Sequence, residues 1–400
     1  MTGRFGPLYV TANFGAHVAF MPLLVLLLPR RVEAIAPDQP IVLLSQLLLV
    51  GGLTASISNI AFGAFSDRWL ARFGNRRGPI AVGLLCLIGA YAYFARADAP
   101  GALFLATILF QLSLNIMFAP LGALLADHIP DARKGWIAGW LNMGLPLSGL
   151  VITVLGEFSA SDAAWPFGLV AMIVAATVIP LIIAWPRDLK LLAKPVEAVV
   201  DAVLSRRDFA FAWIARLCIQ SGAAVILSYL YLYVNAVARN ADGFSVENAS
   251  GGVALLSLLA TIFSLAAGIL AGRWSDRKGS RKRPLIYSAL LAAGAFGLLS
   301  WGGDWRVILA AYALFTIALT AFLSVDSALV AQLVAGHPRR ATFLGLMNLT
   351  NTLPAIIAPG LALFLASVQP GGDTLRFLLA VAAGGALTAA FAVSAIRTIR

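Results

Sequence analysis

The chain has 400 residues, of which 60% are hydrophobic and 12% are charged, and its net charge is +11. Soluble domains carry about 25% charged residues, so this composition excludes an ordinary soluble fold and indicates a chain embedded in lipid. The excess of positive charge does not indicate nucleic-acid binding, because the basic residues are divided among short loops and form no single basic domain.

Twelve apolar segments follow one another, most of them close to the roughly 20 residues that a helix needs to cross a bilayer. Backbone amides in hydrocarbon must be bonded internally, which predicts helices rather than open strands. The chain is therefore an all-α membrane protein with twelve transmembrane helices. The predicted spans are 8–28, 41–65, 79–95, 101–126, 136–156, 164–185, 209–236, 248–272, 285–302, 307–331, 341–367 and 376–396.

The first span places Asn13 and His17 four residues apart, on one face of the helix. An imidazole exchanges protons near neutral pH, so His17 is a candidate for proton coupling. The alternative is a hydrogen-bonded histidine that only packs helices together.

A loop motif occurs at the end of the second span and again at the end of the eighth. The copies read Gly63-Ala-Phe-Ser-Asp67-Arg68 and Gly272-Arg-Trp-Ser-Asp276-Arg277. Basic residues follow each copy: Arg72, Arg76 and Arg77 in the first, and Lys278, Arg281, Lys282 and Arg283 in the second. Contacts between such carboxylates and guanidinium groups can differ between two conformations, so these loops are candidates for conformational gating. The alternative is that they only hold loops and set the topology.

Amide side chains are the polar residues of several later spans. They can bind a hydroxyl-rich ligand through paired donors and acceptors, or they can join helices to one another. The candidates are Gln111 and Asn115 in the fourth span, Asn142 in the fifth, Gln220 in the seventh, and Asn348 and Asn351 in the eleventh.

The longest polar interruption, residues 186–208, separates six spans from six. We interpret it as a cytoplasmic linker, with a possible short amphipathic helix on the inner membrane surface. The predicted domains are residues 1–185, an N-terminal six-helix bundle, and residues 209–400, a C-terminal one.

One cation and one anion lie within predicted spans, Arg216 in the seventh and Asp326 in the tenth. Arg216 lies about 10 Å into its span, at 1.5 Å per residue, and Asp326 lies at nearly the same depth. A lone charge in a membrane is unfavourable, so we expect the two to face each other. Asp326 is then the leading proton acceptor. The alternatives are an Arg216 that extends to the inner headgroups and a static structural pair.

Short segments repeat at a nearly constant offset in the two halves. Phe14-Gly15-Ala16 corresponds to Ser221-Gly222-Ala223, and Gly139 and Asn142 correspond to Gly345 and Asn348. Arg133-Lys134 corresponds to Arg339-Arg340 in the same way. Two six-helix halves in parallel orientation are typical of one large class of transporters.

The distribution of charge predicts the orientation. With both termini in the cytoplasm, the inner segments hold 22 of the 29 Lys and Arg residues and the outer loops hold 6. This asymmetry follows the positive-inside rule, and we expect a bacterial inner membrane as the location.

The chain resembles the major facilitator superfamily over essentially its whole length. The signature of that family's second-span loop is matched by Gly63, Asp67, Arg68, Arg76 and Arg77. The counterpart of this signature in the second half consists of Gly272, Asp276, Arg277 and Lys278. A second family feature, an acid followed by proline, a basic residue and glycine, is matched by Asp127, Pro130, Lys134 and Gly135.

The resemblance implies two pseudo-symmetric bundles, a cavity lined by the first, fourth, seventh and tenth spans, and gating by the loop residues. The gating set is Gly63, Asp67, Arg68, Arg76, Arg77, Asp127, Arg133, Gly272, Asp276 and Arg277. The run Ser66 to Arg77 is similar to sucrose–proton symporters and to glycoside–pentoside–hexuronide symporters. The sodium-coupled members carry acids in the second span where this chain has Ala55 and Asn59, so protons are the expected coupling ion.

These features favour a secondary transporter over an enzyme, because no metal cluster, Ser/His arrangement or pair of carboxylates is visible in the spans. We expect alternating access and proton-coupled symport of a small polar organic solute such as a sugar or glycoside. The expected partners are the solute, protons and the bilayer, with no cofactor or metal, and the expected state is a monomer. The alternative is a proton-coupled exporter of amphiphilic or drug-like compounds.

Overall fold

The computed structural model describes residues 5–158, 164–185, 205–240, 248–278, 281–333, 340–368 and 373–397. Within these ranges it leaves out the side chains of residues 131, 132, 134, 135, 158, 239, 240, 272, 273, 275–278, 331, 340–342 and 344. The chain divides into two compact units, Met1–Lys194 and Pro195–Arg400. Most of the predicted linker, residues 186–204, lies outside the described residues.

The N-terminal unit is helical throughout its described part. Its first span contains α1 (Phe5–Pro22), a π-helical segment (Leu23–Leu27) and α2 (Leu28–Ile35). The others are α3 (Pro40–Phe73), α4 (Arg77–Phe94), α5 (Pro100–His128), α6 (Asp131–Asn142), α7 (Gly144–Phe158) and α8 (Trp165–Ile183).

The C-terminal unit has the same order of elements. They are α9 (Arg206–Asn240), α10 (Ala249–Lys278), α11 (Lys282–Trp301), α12 (Trp305–Leu333), α13 (Arg340–Thr352), α14 (Pro354–Val368) and α15 (Thr374–Ala395). Twelve stretches of this helical chain are long and apolar enough to cross a membrane, which confirms the predicted all-α, twelve-span fold.

Proline and glycine set several helix ends. Pro40, Pro100 and Pro354 each occupy the first position of a helix, where the missing N–H would have no partner within the helix. Gly74 ends α3 with a φ of 71°, and its N–H donates to the carbonyl of Leu70. Glycine is favoured there because a side chain would strain this left-handed conformation.

The two units use the same helix packing. In the first, α3 and α4 pack on α5, and α8 packs on α1 and α4. In the second, α10 and α11 pack on α12, and α15 packs on α9 and α11. Each of these contacts of the first unit thus has a counterpart in the second, as expected of pseudo-symmetric six-helix bundles.

One repeated pair of glycines, Gly15 and Gly222, lies at these helix contacts. A Cβ atom on Gly15 of α1 would overlap the side chain of Thr177 in α8. A Cβ atom on Gly222 of α9 would lie 2.8 Å from Phe296 in α11 and 3.5 Å from Ala382 in α15. The repeat therefore preserves close approach of helices, which small residues permit inside membranes.

The fifth and eleventh spans are each broken in two. In the fifth, α6 ends at Asn142 and α7 begins at Gly144. In the eleventh, α13 ends at Thr352 and α14 begins at Pro354. Proline lies at or just after each break, at Pro146 and Pro354, and it cannot continue the backbone hydrogen bonds of the preceding turn.

Candidate functional site

Arg76, which directly precedes α4, joins the ends of α3 and α5 in the N-terminal unit. Its Nε donates to Asp127 Oδ2 at 2.6 Å, at the end of α5. Its Nη2 donates to Asp67 Oδ1 at 2.8 Å, and its Nη1 donates to Ser66 Oγ at 2.7 Å, both in α3. We call Ser66, Asp67, Arg76 and Asp127 the Arg76 clamp.

The members of the Arg76 clamp differ in exposure. The Arg76 side chain is 5% exposed and that of Asp127 is 20% exposed, whereas that of Asp67 is 71% exposed. The contact with Asp127 is therefore less screened by water than the contact with Asp67. Burial disfavours the charged form of Arg76, but the hydrogen bonds and charges of Asp127 and Asp67 outweigh it and raise its pKa. Arg76 consequently stays protonated at any pH at which transport is measured.

The remaining gating candidates lie outside the clamp. Arg68, Arg77 and Arg133 are exposed, and a Cβ atom at Gly63 would meet nothing within 4 Å. Gly272, Asp276 and Arg277 lie in α10, but the placement of their side chains is outside the described part of the structure. The structure thus describes side-chain contacts for the first copy of the loop motif, at Ser66 and Asp67.

Arg216 and Asp326 form an ion pair inside the C-terminal unit. Arg216 Nη1 of α9 donates to Asp326 Oδ2 of α12 at 3.0 Å. The Asp326 side chain is 2% exposed and that of Arg216 is 17% exposed. The guanidinium group binds its partner within the bundle, so the alternative of an Arg216 that extends to the headgroups does not describe this structure.

Three amides extend the ion pair into a chain of hydrogen bonds. Arg216 Nη2 donates to Asn351 Oδ1 at 3.2 Å, and Gln220 Nε2 donates to the same oxygen at 2.9 Å. Asn351 Nδ2 donates to Asn348 Oδ1 at 2.9 Å. We call Arg216, Gln220, Asp326, Asn348 and Asn351 the polar network.

The donor-to-acceptor direction of these hydrogen bonds follows from the chemistry of the side chains. A guanidinium group has only donors, so the Asn351 atom that it meets must be the carbonyl oxygen. Asn351 then donates onward and Asn348 accepts, which leaves Asn348 with both N–H groups of its amide for another partner. Asn348 and Asn351 are exposed on this unit, so the network has a buried charged end and an accessible amide end.

A second group of amides joins two helices of the N-terminal unit. Asn59 Nδ2 of α3 donates to Asn115 Oδ1 of α5 at 3.1 Å, and Asn115 Nδ2 donates to the Gln111 carbonyl at 2.8 Å. Asn59 is exposed and Asn115 is buried. Asn142, also predicted as a site residue, is exposed at the end of α6 and belongs to neither of these groups of described contacts.

His17 packs at the break in the fifth span. Its Nδ1 lies 2.9 Å from the backbone carbonyl of Asn13, which can only accept, so Nδ1 donates and Nε2 of the neutral ring is an acceptor. Its ring centroid lies 6.1 Å from that of Phe118 in α5. A Cβ atom at Gly144 would lie 2.9 Å from Nδ1, so the break at the start of α7 accommodates the imidazole. Asn13 is buried, and its Oδ1 has no hydrogen-bond partner among the described residues.

Sequence reasoning missed Ser66 and Asn59 as contacts. Ser66 belongs to both copies of the loop motif, and this recurrence was an available signal. Asn59 lies in the second span, where the sodium-coupled members carry acids, and its side chain donates a hydrogen bond to Asn115. Among the described residues, no group of three His, Cys, Asp or Glu side chains could hold a metal ion.

Comparisons with known proteins agree with this architecture. The sequence profile described as Major Facilitator Superfamily matches residues 7–359 and 246–399. A search of curated proteins by sequence finds no match.

Solved transporter structures share the fold. The nucleoside transporter NupG superposes with a TM-score of 0.71 at 14% identity, covering 99% of this chain and 100% of that one. A bacterial homologue of the human lysosomal transporter Spinster gives 0.65 at 15% identity, covering 99% and 95%. An auto-inhibited peptide transporter of the POT family gives 0.67 at 13% identity, covering 99% and 97%.

Proposed function

This chain belongs to the Major Facilitator Superfamily and is an integral membrane transporter rather than an enzyme, and we propose that it couples transport to protons by alternating access. The proposed cargo is a small polar organic solute such as a sugar or glycoside, imported by symport. The proposed location is a bacterial inner membrane with both termini in the cytoplasm, and the proposed working unit is a monomer.

The observation that carries this proposal is the buried Arg216–Asp326 pair, with an N···O distance of 3.0 Å. A carboxylate that takes up a proton loses its charge, so its electrostatic attraction to the arginine is weakened. The same pair is bonded through Asn351 to an accessible chain of amides. Proton uptake and solute binding therefore act on one connected set of side chains, which is the arrangement that coupling requires.

The amide groups support a hydroxyl-rich solute. Asn348, Gln220, Asn115 and Asn59 each combine a carbonyl acceptor with N–H donors, which is the complement of a hydroxyl group. A nucleoside is itself a glycoside, so the cargo named for NupG falls within the proposed chemical class.

The Arg76 clamp supports a two-state mechanism. It joins the ends of α3 and α5 through one buried cation. Contacts of this kind, formed in one conformation and broken in another, bias the equilibrium between the two. We assign the clamp to conformational control and the polar network to solute and proton binding.

Asp326→Asn tests the coupling. Asn keeps the shape and an oxygen for Arg216 but cannot be protonated, so accumulation driven by a pH gradient should be abolished. Counterflow of labelled solute in proteoliposomes, which needs no gradient, should persist. Asp373→Asn is the matched control, because it removes an exposed acid from the same unit.

Accumulation retained by Asp326→Asn would refute the coupling role. A thermal-shift screen of the purified protein against sugars, nucleosides, organic acids, peptides and lipophilic cations selects the solute for this assay. Stabilisation only by lipophilic drugs would instead indicate the exporter of amphiphilic compounds.

A further inference from the structure

The charges of the polar network balance only while Asp326 is ionised. Asp326 and Arg216 are 2% and 17% exposed, so water offers little compensation to either charge. The pair carries no net charge in this state. A proton on Asp326 would leave the positive charge of Arg216 without its counterion.

Other charged side chains on the helices around Asp326 lie towards the helix ends. The helix α12 packs against α9, α10 and α11. Besides Arg216, charged residues on these helices and on α12 itself are Arg206, Arg207, Asp208, Arg239, Arg273, Asp276, Arg277, Lys278, Lys282, Arg283 and Arg306. The side chains of Arg239, Arg273 and 276–278 lie outside the described part, and Lys282 donates to the Ile396 carbonyl at 2.7 Å. Among the described residues, Arg216 is the charged side chain that contacts Asp326.

A neutral solute cannot restore the balance. With Asp326 protonated and a sugar bound, the network would carry one unpaired positive charge in a desolvated position, which is unfavourable. With Asp326 protonated and a carboxylate bound to Arg216, the network would again be neutral. Binding of the proton and binding of the anion would then favour each other.

The free donors of the network suit the same kind of group. Arg216 Nε is buried, and no described residue offers it a hydrogen-bond acceptor. Asn348 accepts from Asn351 and keeps its two N–H groups at the accessible end. A guanidinium group and an amide that both offer donors match a carboxylate, whose two oxygens only accept.

We propose that the co-transported solute is a hydroxylated organic anion with one carboxylate, of the sugar-acid type, and that it replaces Asp326 as the counterion of Arg216. This inference rests on the proton-coupled symport proposed above and specifies its cargo. One proton from the aqueous phase binds the Asp326 carboxylate as one anion binds Arg216. Both are released to the aqueous phase on the other side, and no covalent bond of the solute changes. Each cycle therefore moves no net charge.

Matched pairs of solutes test the proposal in proteoliposomes. Each pair keeps the configuration of the other hydroxyl-bearing carbons and exchanges a carboxylate for a hydroxymethyl group: glucuronate and glucose, galacturonate and galactose, gluconate and glucitol. At least one acid should accumulate under an inward proton gradient, about 10-fold or more above its neutral partner, within the usual range of coupling between sites. A potassium diffusion potential of either sign should leave that accumulation unchanged, because the cycle is electroneutral.

The outcomes separate this inference from the proposed function. Proton-driven accumulation of a neutral member, enhanced by an inside-negative potential, overturns the anion assignment and leaves symport intact. A pH gradient that drives no member of either class overturns the proposed symport itself.

Paired variants locate the effect. Arg216→Gln combined with Asp326→Asn removes both charges. In counterflow, which needs no proton gradient, this double variant should lose the preference for the acid over its neutral partner. Arg376→Gln combined with Asp373→Asn is the control, because that pair is 2.9 Å apart and half exposed in the same unit. The control should keep the preference of the unmodified protein. If both double variants lose the preference for the acid, or if neither does, Arg216 is not the group that binds the carboxylate. If the first double variant does not fold, Arg216→Gln replaces it and the solute pairs still decide the charge of the cargo.

Discussion

At the scale of residues, the two units use buried arginines in different ways. Arg76 binds two carboxylates and a hydroxyl group, so it keeps one counterion if the other is neutralised. Arg216 contacts one carboxylate, and its other partner, Asn351, is neutral. The first arrangement is robust to the loss of one charge, which suits a mechanical contact. The second changes sharply on protonation, which suits exchange of ligands.

The Arg76 clamp predicts unequal effects of its two aspartates. Asp67→Asn removes a largely exposed charge and should reduce stability by at most about 1 kcal/mol. Asp127→Asn leaves Arg76 buried with only an exposed counterion, and it should cost about 1.5–3 kcal/mol. Both should slow transport, Asp127→Asn more strongly, while solute affinity stays within a few-fold.

Thermal unfolding in detergent and initial transport rates in vesicles measure these two effects. Arg96→Gln, which removes an exposed charge of the same unit outside the clamp, is the control and should match the unmodified protein. Unchanged turnover in Asp67→Asn and Asp127→Asn would remove the clamp from the transport mechanism.

At the scale of elements, close helix contacts depend on particular glycines. A Cβ atom on Gly83 of α4 would lie 2.8 Å from the backbone Cα of Met117 in α5 and even closer to its N atom. A backbone atom cannot rotate away as a side chain can. Gly89, in the same helix, would meet nothing within 4 Å.

We therefore expect Gly83→Ala to separate α4 from α5 and to destabilise the N-terminal unit by about 1–3 kcal/mol, as overpacking does. Gly89→Ala should be neutral or stabilising by up to about 1 kcal/mol, since alanine favours helix. Unfolding midpoints of the two variants in detergent give the comparison. Equal midpoints would mean that the contact between α4 and α5 is not tightly packed.

The broken spans show what hydropathy leaves undetermined. Both halves of the fifth span are apolar, so a search for hydrophobic segments joins them into one stretch. The interruption at Met143 follows from local backbone chemistry around Pro146 and from the position of His17 beside Gly144. The first span shows the same limit, because its π-helical segment leaves no hydropathic trace.

At the scale of the whole molecule, two units with one packing scheme span the membrane twelve times. An even number of spans places both termini on one side, and the excess of inner basic residues assigns that side to the cytoplasm. This orientation is a proposal that reporter fusions can test.

Alkaline phosphatase fused after Arg400 should be inactive, because the enzyme folds only outside the cytoplasm, where its disulfides form. The same enzyme inserted at Asp98, between α4 and α5, should be active. A fluorescent protein that folds in the cytoplasm should give the reverse pattern. Phosphatase activity at Arg400 would invert the assigned orientation.

Sequence reasoning recovered most of the fold and part of the site. The predicted span at 101–126 and helix Pro100–His128 differ by only one or two residues at each end. The pairing of Arg216 with Asp326 was also accessible, because matched depth and opposite charge leave few other solutions. The exposed–buried contrast between Asp67 and Asp127 was not accessible, since both are acids near the inner ends of apolar segments.

The twelve spans and the concentration of positive charge in alternate loops are properties of the sequence alone, because each depends on the local transfer of residues between water and lipid. The two-half repeat is also a property of the sequence, because its residues recur at a nearly constant offset. Which donors meet which acceptors was decided only by the tertiary structure. Asn351 accepts from Arg216 although 135 positions separate them, and Asn59 donates to Asn115 across 56 positions. Such contacts depend on helix rotation and on distances of a few tenths of an ångström, which no local pattern of hydropathy encodes.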